Sequence, residues 1–318
     1  MMLLVVVSGA SRGFGQAAAV AFAHHPFWVC RQNANTRMRV LLTARSESGL
    51  QETKRQMLEA SAGSRSTNAG ADNADNDDES SDTFLEMIIS IHPMDLGEGD
   101  LGILENQMTA LIDAAQPLDQ YDRIIIVNNA GSLGHLGKVA DMTSLRDFSQ
   151  TIHLNITSSL WFTSRWTAAL VSSRPAPTTT TTTTSTVSNE SATSTTTLPV
   201  IVNISSLCAL QPFATMTTYC AGKAARDMFH QSLAKEEEGK VRVLNYAPGA
   251  MDTDMTVSLR EEGNQLDHEL KNYFQGAYDK GELIDPKVSA AKLVQLVLCG
   301  DFVSGSHVDY WDLPDDVT

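Results

Sequence analysis

The chain has 318 residues, 42% of them hydrophobic, and a formal net charge of −15 with a pI near 4.8. That length suits one doubly wound domain with some excess, and the acidity argues against nucleic acid or an anionic membrane as a partner. No apolar run approaches the roughly 18 residues of a membrane span, and neither the scattered histidines nor Cys30, Cys208, Cys220 and Cys299 have metal-ligand spacing.

Leu3 to Val7 is a short valine-rich run, the pattern of a parallel strand buried on both faces. Ser8-Gly9-Ala10-Ser11-Arg12-Gly13-Phe14-Gly15 follows, and Gly13–His24 is alanine-rich and helix-prone. Strand, glycine turn and helix form the context of a dinucleotide site. Glycine lets backbone approach a pyrophosphate, and a helix N-terminus offers unpaired N–H donors. The second strand, Arg39–Thr43, leads into Ala44-Arg45. The carboxylate that an NAD site uses for the ribose hydroxyl is missing there. Arg45 and Arg12 are suited instead to a 2′-phosphate, which favours NADPH.

Ser46–Ala60 reads as a helix and Leu85–Ile91 as the third strand. Between them, residues 61–82 are rich in Ser, Asn, Asp and Gly and are expected to be a disordered insertion. Helix Leu101–Ala115 precedes strand Arg123–Asn128, which runs into Asn128-Asn129-Ala130-Gly131. Amides at the C-terminal end of a parallel strand sit where such sheets bind ligands, and they can bond neighbouring loops or a cofactor. Ser144–Leu170 reads as one helix, with Asn155 inside it as either a tolerated polar residue or a water-binding amide. The threonine tract within 173–197 is expected to be a second disordered insertion.

Strand Pro199–Ile204 leads into Ser205 and Ser206, and helix Thr217–Glu237 carries Tyr219 and Lys223 four residues apart, on one face. A lysine ammonium beside a phenol favours the phenolate, and a tyrosine tuned in this way trades a proton with a carbonyl near neutral pH. Strand Lys240–Tyr246, helix Pro286–Cys299 and strand Ser306–Asp309 complete the alternation.

Gly9, Gly13, Gly15, Asn128 to Gly131, Asn155, Ser206, Tyr219, Lys223 and Pro248-Gly249 stand in the order found in the short-chain dehydrogenase/reductase family, which the chain resembles over nearly its whole length. The resemblance implies an α/β, doubly wound (Rossmann-like), predominantly parallel seven-stranded sheet with helices on both faces. It would form one domain over 1–318, with the insertions at 61–82 and 173–197. It also implies an NADPH-dependent oxidoreductase. Ser206 would bond the carbonyl oxygen, Tyr219 protonate it, Lys223 depress the tyrosine pKa and bind the nicotinamide ribose, and Asn155 hold a relay water. Ser205 is the structural neighbour. The nucleotide would touch Gly9, Ser11, Arg12, Gly13, Phe14 and Gly15, then Arg45, Asp95 and Leu96. Further along it would meet Asn129, Ala130 and Gly131, with Tyr219, Lys223, Pro248, Gly249 and Thr253.

The strings Asn203 to Phe213, Tyr219 to Met228, Val241 to Gly249, Asp252 to Met255 and Ser304 to Tyr310 resemble pterin-reducing members of that family. That implies a pterin side-chain carbonyl as substrate. Ser206, Cys208, Phe213, Met216, Tyr219, Gly249 and Met255 would form the wall, and Asp309 would accept the paired donors of the pterin ring. Met216 stands where those members often carry an aromatic residue. Gly13 argues against the pteridine reductases, which typically carry arginine there. A broad carbonyl or diketone reductase stays open, as does a non-catalytic nucleotide-binding regulator, although the complete set of Ser206, Tyr219 and Lys223 speaks against the latter. Helices Ser144–Leu170 and Thr217–Glu237 resemble the family's dimer-forming pair, so a homodimer is expected. The N-terminal apolar run lacks a signal peptide's basic flank, and the expected location is the cytoplasm.

Overall fold

The computed structural model describes residues 1–25, 36–66, 85–173, 197–261 and 265–315. Seven parallel strands form one sheet in the order β3-β2-β1-β4-β5-β6-β7. They are β1 Met2–Ser8, β2 Thr36–Ala44, β3 Leu85–Pro93, β4 Arg123–Asn128, β5 Val200–Ile204, β6 Arg242–Ala247 and β7 His307–Asp309. The order runs outward from β1 through β2 to β3, then returns to the other side of β1 with β4. That reversal opens a crevice beyond the carboxyl ends of β1 and β4, where Val7 pairs with Val127.

Alternation along β1 separates two cores. Leu3, Val5 and Val7 pack on one face with α1 (Gly13–His24) and the helix Pro286–Cys299. Leu4 and Val6 pack on the other with Leu104, Met108 and Leu111 of the helix Leu101–Asp113, and with Phe162 and Trp166.

The helix after β2 is α2, Glu47–Ser66. Residues 61–66, expected within a disordered insertion, are therefore helical. Leu50, Thr53 and Met57 anchor the earlier turns, and extending a formed helix costs little. The rest of that expected insertion, 67–82, lies outside the described residues, as do 174–196 of the second one and Cys30. Ser173 is the last residue of a helix.

The single helix expected over Ser144–Leu170 is interrupted. An α-helix over Leu145–Ile152 widens into a π-helical stretch, His153–Ser158, and resumes as Ser159–Ser173. Two helices that the sequence reading did not anticipate, Asp254–Glu261 and His268–Asp279, lie between β6 and Pro286–Cys299. Their Leu259, Leu270 and Phe274 pack with Met216, Tyr219 and Cys208 in a small third core over the carboxyl end of the sheet. The helix carrying Tyr219 and Lys223 spans Thr217–Glu236.

Candidate active site

The turn after β1 is built by close backbone approach. Gly9 and Gly13 hold φ of +65° and +55°, where a side chain is strained. A Cβ on Gly15 would lie 2.3 Å from the Gly9 carbonyl oxygen. Asn129 locks this turn, its Nδ2 donating to the carbonyls of Ser8 and Gly9 at 3.1 Å each. Ser8 Oγ answers by accepting from the N–H groups of Asn129 and Ala130 at 3.0 and 3.2 Å. Asn128 turns the other way, donating to the Ser159 carbonyl at 2.8 Å and to Thr163 Oγ1 at 2.9 Å. Both amides thus bond neighbouring elements. Arg12 precedes α1 in extended backbone and provides no side-chain cap. The N–H donors of the first turn are left for an anion.

Two arginines border this end. Arg12 Nη1 pairs with Asp254 Oδ2 at 2.8 Å, and Arg45 Nε stands 3.9 Å from Asp95 Oδ1; their side chains are 71% and 70% exposed.

At the other end the two serines part company. Ser205 is buried, and its hydroxyl donates to Asp227 Oδ1 at 2.5 Å. Ser206 lies in extended backbone and caps the short turn Leu207–Ala209, its Oγ accepting from Cys208 N at 3.2 Å. The Ser206 hydroxyl also lies within hydrogen-bonding reach of the Tyr219 phenol, so the two polar groups meet in one place. Tyr219 and Lys223 are 8% and 7% exposed. Lys223 Nζ donates to the Ile204 carbonyl at 2.6 Å and lies 5.5 Å from the centre of the Tyr219 ring. Asn155 sits in the π-helical stretch, a feature frequent at functional sites. It bonds Ser132 in both directions, accepting from its N–H at 2.8 Å and donating to its carbonyl at 2.7 Å.

Burial governs the charges here. It pushes the Tyr219 phenol up, and the cation that opposes this is Arg226 rather than Lys223. Lys223 is itself pulled down to about 7, first by burial and then by Arg226. The expected depression of the phenol by its lysine is thus not what this geometry gives, because desolvation penalises both charged forms. A pH dependence of stability follows. Below pH 7 Lys223 is charged whether folded or not, and its burial cost is fully present. Between about 7 and its ordinary 10.5 the unfolded chain binds the extra proton, so stability rises with pH. Lys223→Met removes this gain. Urea unfolding at pH 7 and pH 10 is expected to show the parent gaining on the variant; a constant gap would refute the assignment.

One cavity of about 1420 Å³ gathers nearly all of these groups. Ser206, Tyr219 and Lys223 line it together with every expected nucleotide contact except Gly15, and with Cys208, Phe213, Met216, Gly249, Met255 and Asp309. Gly15 serves the close approach to Gly9. Asn155 meets Tyr219, Gly222, Lys223 and Arg226 at a crevice too tight for a water-sized sphere. Cys208 is buried, with its thiol pushed up to about 12, so it packs as a small apolar group. Asp309 ends β7, and its Oδ1 accepts from Trp311 N at 3.1 Å.

Sequence reasoning missed the polar layer behind these residues. Arg226 is 1% exposed. It donates to Asn203 Oδ1 at 2.8 Å, to the Ala130 carbonyl at 2.8 Å and to the Asn128 carbonyl at 2.6 Å. Asp227 and His307 adjoin it, as does His230, whose ring burial holds down to about 4. The available signal was position: Arg226, Asp227 and His230 follow Lys223 by three, four and seven residues, which puts them on its helix face. Missed as well were Tyr273, Phe274 and Trp311, which line the cavity.

The sheet, its crevice and the Ser206–Tyr219–Lys223 grouping define a nicotinamide-dependent oxidoreductase of the short-chain dehydrogenase/reductase class. The family's sequence model, described as short chain dehydrogenase, matches residues 180–264. The chain is 35% identical to the sepiapterin reductase of Bos taurus over 97% of its own length and 94% of that protein. It is 35% identical to that of Rattus norvegicus over 97% of its length and 96% of that protein. It belongs to the sepiapterin reductase family. Among solved structures, an actinorhodin polyketide ketoreductase with NADPH has the same fold, with a TM-score of 0.65 and 19% identity over 97% of this chain and 95% of that one.

Proposed function

We propose that the protein reduces a side-chain carbonyl of a pterin with NADPH, as in the conversion of sepiapterin to dihydrobiopterin or of 6-pyruvoyl-tetrahydropterin to tetrahydrobiopterin. The observation that carries this reading is that Ser206, Tyr219 and Lys223 and the carboxylate of Asp309 line one cavity, in a chain whose relatives are sepiapterin reductases.

The glycine turn and the uncapped start of α1 suit the pyrophosphate, with Arg12 and Arg45 for a 2′-phosphate and Lys223 for the ribose. When bound, the nucleotide supplies the hydride. Every other part of the reaction belongs to side chains. Ser206, with its oxygen already accepting from Cys208 N, donates to the substrate carbonyl. Tyr219 is kept protonated by burial and gives its proton to that oxygen as charge develops. Lys223 returns a proton to Tyr219, replenished from the side of Asn155. Asp309 accepts the paired ring donors and so fixes which carbonyl reaches Ser206. Phe213, Met216 and Met255 form the apolar wall. The helix pair flanking Asn155 and Tyr219 forms a homodimer, which light scattering reads directly as a two-chain mass, and the cytoplasm is the site of action.

Purified protein is expected to oxidise NADPH in the presence of sepiapterin, and to use NADH at least about tenfold less efficiently, the worth of a charge-assisted contact to phosphate. No turnover of sepiapterin alongside turnover of a simple diketone would discard the pterin reading in favour of a broad carbonyl reductase. Equal use of both nucleotides would discard the assignment of Arg12 and Arg45.

A further inference from the structure

The strand that carries Asp309 has a short backbone ladder, preceded by the bonds of Gly305 N to Val243 O at 2.7 Å and of Asn245 N to Ser306 O at 3.0 Å. β7 is three residues long and lies at the edge of the sheet. Among the described residues it pairs only with β6, matching His307 to Asn245 and Asp309 to Ala247. So short a ladder fixes position poorly. Side chains make up the difference. His307 Nδ1 lies 2.6 Å from Asp227 Oδ2. Facing a carboxylate, which only accepts, that nitrogen carries the hydrogen. Asp227 is 2% exposed, and its other oxygen accepts from Ser205 Oγ at 2.5 Å and from Asn203 Nδ2 at 3.0 Å. Ser205 immediately precedes Ser206. His307 precedes Asp309 by two residues, so the two share a strand face. One buried carboxylate therefore ties the segment presenting Ser206 to the segment presenting Asp309.

Stability alone is a poor account of such a pair, because well-packed apolar residues often serve a core as well or better. What the pair adds is a fixed spacing between two groups that must act on one molecule.

We propose that Asp227 and His307 are positioning residues that set the distance from Asp309 to Ser206. They thereby favour substrates whose ring donors and reactive carbonyl match that distance. The inference rests on the reading of Asp309 as the acceptor of the pterin donors. It makes a distinction that a general scaffold role does not. A substrate that spans from Ser206 to Asp309 depends on the tie, and a small diketone that never reaches Asp309 depends on it far less.

The test compares the parent with His307→Leu, His307→Asn, Asp309→Asn and the double variant His307→Leu/Asp309→Asn. Each is assayed with NADPH against sepiapterin and against benzil. His307→Leu is expected to raise KM for sepiapterin about tenfold, with kcat reduced less than about threefold, the split that marks lost binding rather than lost chemistry. Efficiency with benzil falls less than about threefold. His307→Asn, which can place an N–H near the position of Nδ1, restores most of the sepiapterin KM. In the double variant the His307 change adds nothing to Asp309→Asn, because a residue that acts through the Asp309 carboxylate has nothing left to place once that carboxylate is gone. Should the leucine variant fail to fold, His307→Gln keeps a polar side chain with a misplaced donor and carries the same expected split. Equal losses on both substrates, or additive losses in the double variant, overturn the positioning role while leaving Asp309 in place. An unchanged sepiapterin KM in Asp309→Asn overturns the reading of Asp309, and this inference with it.

Discussion

Replacing Tyr219 by phenylalanine is expected to lower kcat for carbonyl reduction by about 10²- to 10⁴-fold, the usual contribution of a positioned general acid, with little change in fold stability. The two halves of this expectation have separate grounds. The phenol oxygen has a long 3.9 Å contact to Met255 Sδ and the Ser206 hydroxyl as its hydrogen-bond neighbour, and on its removal Ser206 Oγ is still held by Cys208 N. The ring remains, and with it the packing against Met216 and Leu259 and the Lys223 ammonium over its face. Chemistry is lost because neither the hydroxyl nor the thiol beside the phenol replaces its proton. Ser206 is an alcohol with an ordinary affinity for its hydrogen, and the Cys208 thiol is held protonated up to about 12. Single-turnover measurement of nucleotide oxidation, with thermal unfolding alongside, checks both halves. A residual rate within tenfold of the parent would remove Tyr219 from the role of proton donor.

Arg226→Met is expected to destabilise the fold by roughly 3–5 kcal/mol, the cost of breaking a buried charged network from one side. Methionine fills similar space and offers no donors. Three acceptors, Asn203 Oδ1 and the carbonyls of Ala130 and Asn128, lose their partner together. Asp227 loses the neighbouring cation, which is already strained by burial, its own pKa drawn down to about 10. A typical domain is stable by only about 5–15 kcal/mol, so this one change removes a large share. Lysine is not a substitute, since a point charge cannot meet three acceptors held by a planar fork. Urea unfolding reads the loss as a lower midpoint with an unchanged slope. A shift worth less than about 1 kcal/mol would show that water replaces the guanidinium at little cost.

Arg226 also marks where sequence reading stops. The strands were legible because each is a buried apolar run closed by a turn, and the cleft was legible because glycines, Asn128-Asn129 and the Tyr219–Lys223 spacing fall at strand and helix ends. Gly13–His24, Arg123–Asn128 and Pro286–Cys299 have the expected bounds. The π-helical widening at Asn155 was not legible, since it coincides with paired bonds to Ser132, a partner outside the helix. The helices Asp254–Glu261 and His268–Asp279 were missed because their few apolar residues cover a cleft rather than a sheet, although Asp267 capping Glu269 and Leu270 is visible as a start signal. The sign of the Tyr219 shift was misjudged for a related reason. Proximity can be read from spacing, whereas the burial that outweighs it depends on everything packed around the pair.

The pairing of Arg12 with Asp254 and of Arg45 with Asp95 gives the nucleotide end of the cleft the character of an ion exchanger. Each guanidinium already has a counterion, so under the proposed function an arriving 2′-phosphate would take over an occupied charge rather than meet a bare one. Exposed pairs of this kind are worth only about 0–1 kcal/mol, and the exchange is correspondingly easy. A nucleotide without that phosphate leaves both pairs intact and gains nothing from them. Mobile salt competes for the same exposed charges, and at physiological ionic strength its screening reaches within about 8 Å. Discrimination between nucleotides should therefore relax as salt is raised, even where the buried chemistry at Tyr219 is untouched.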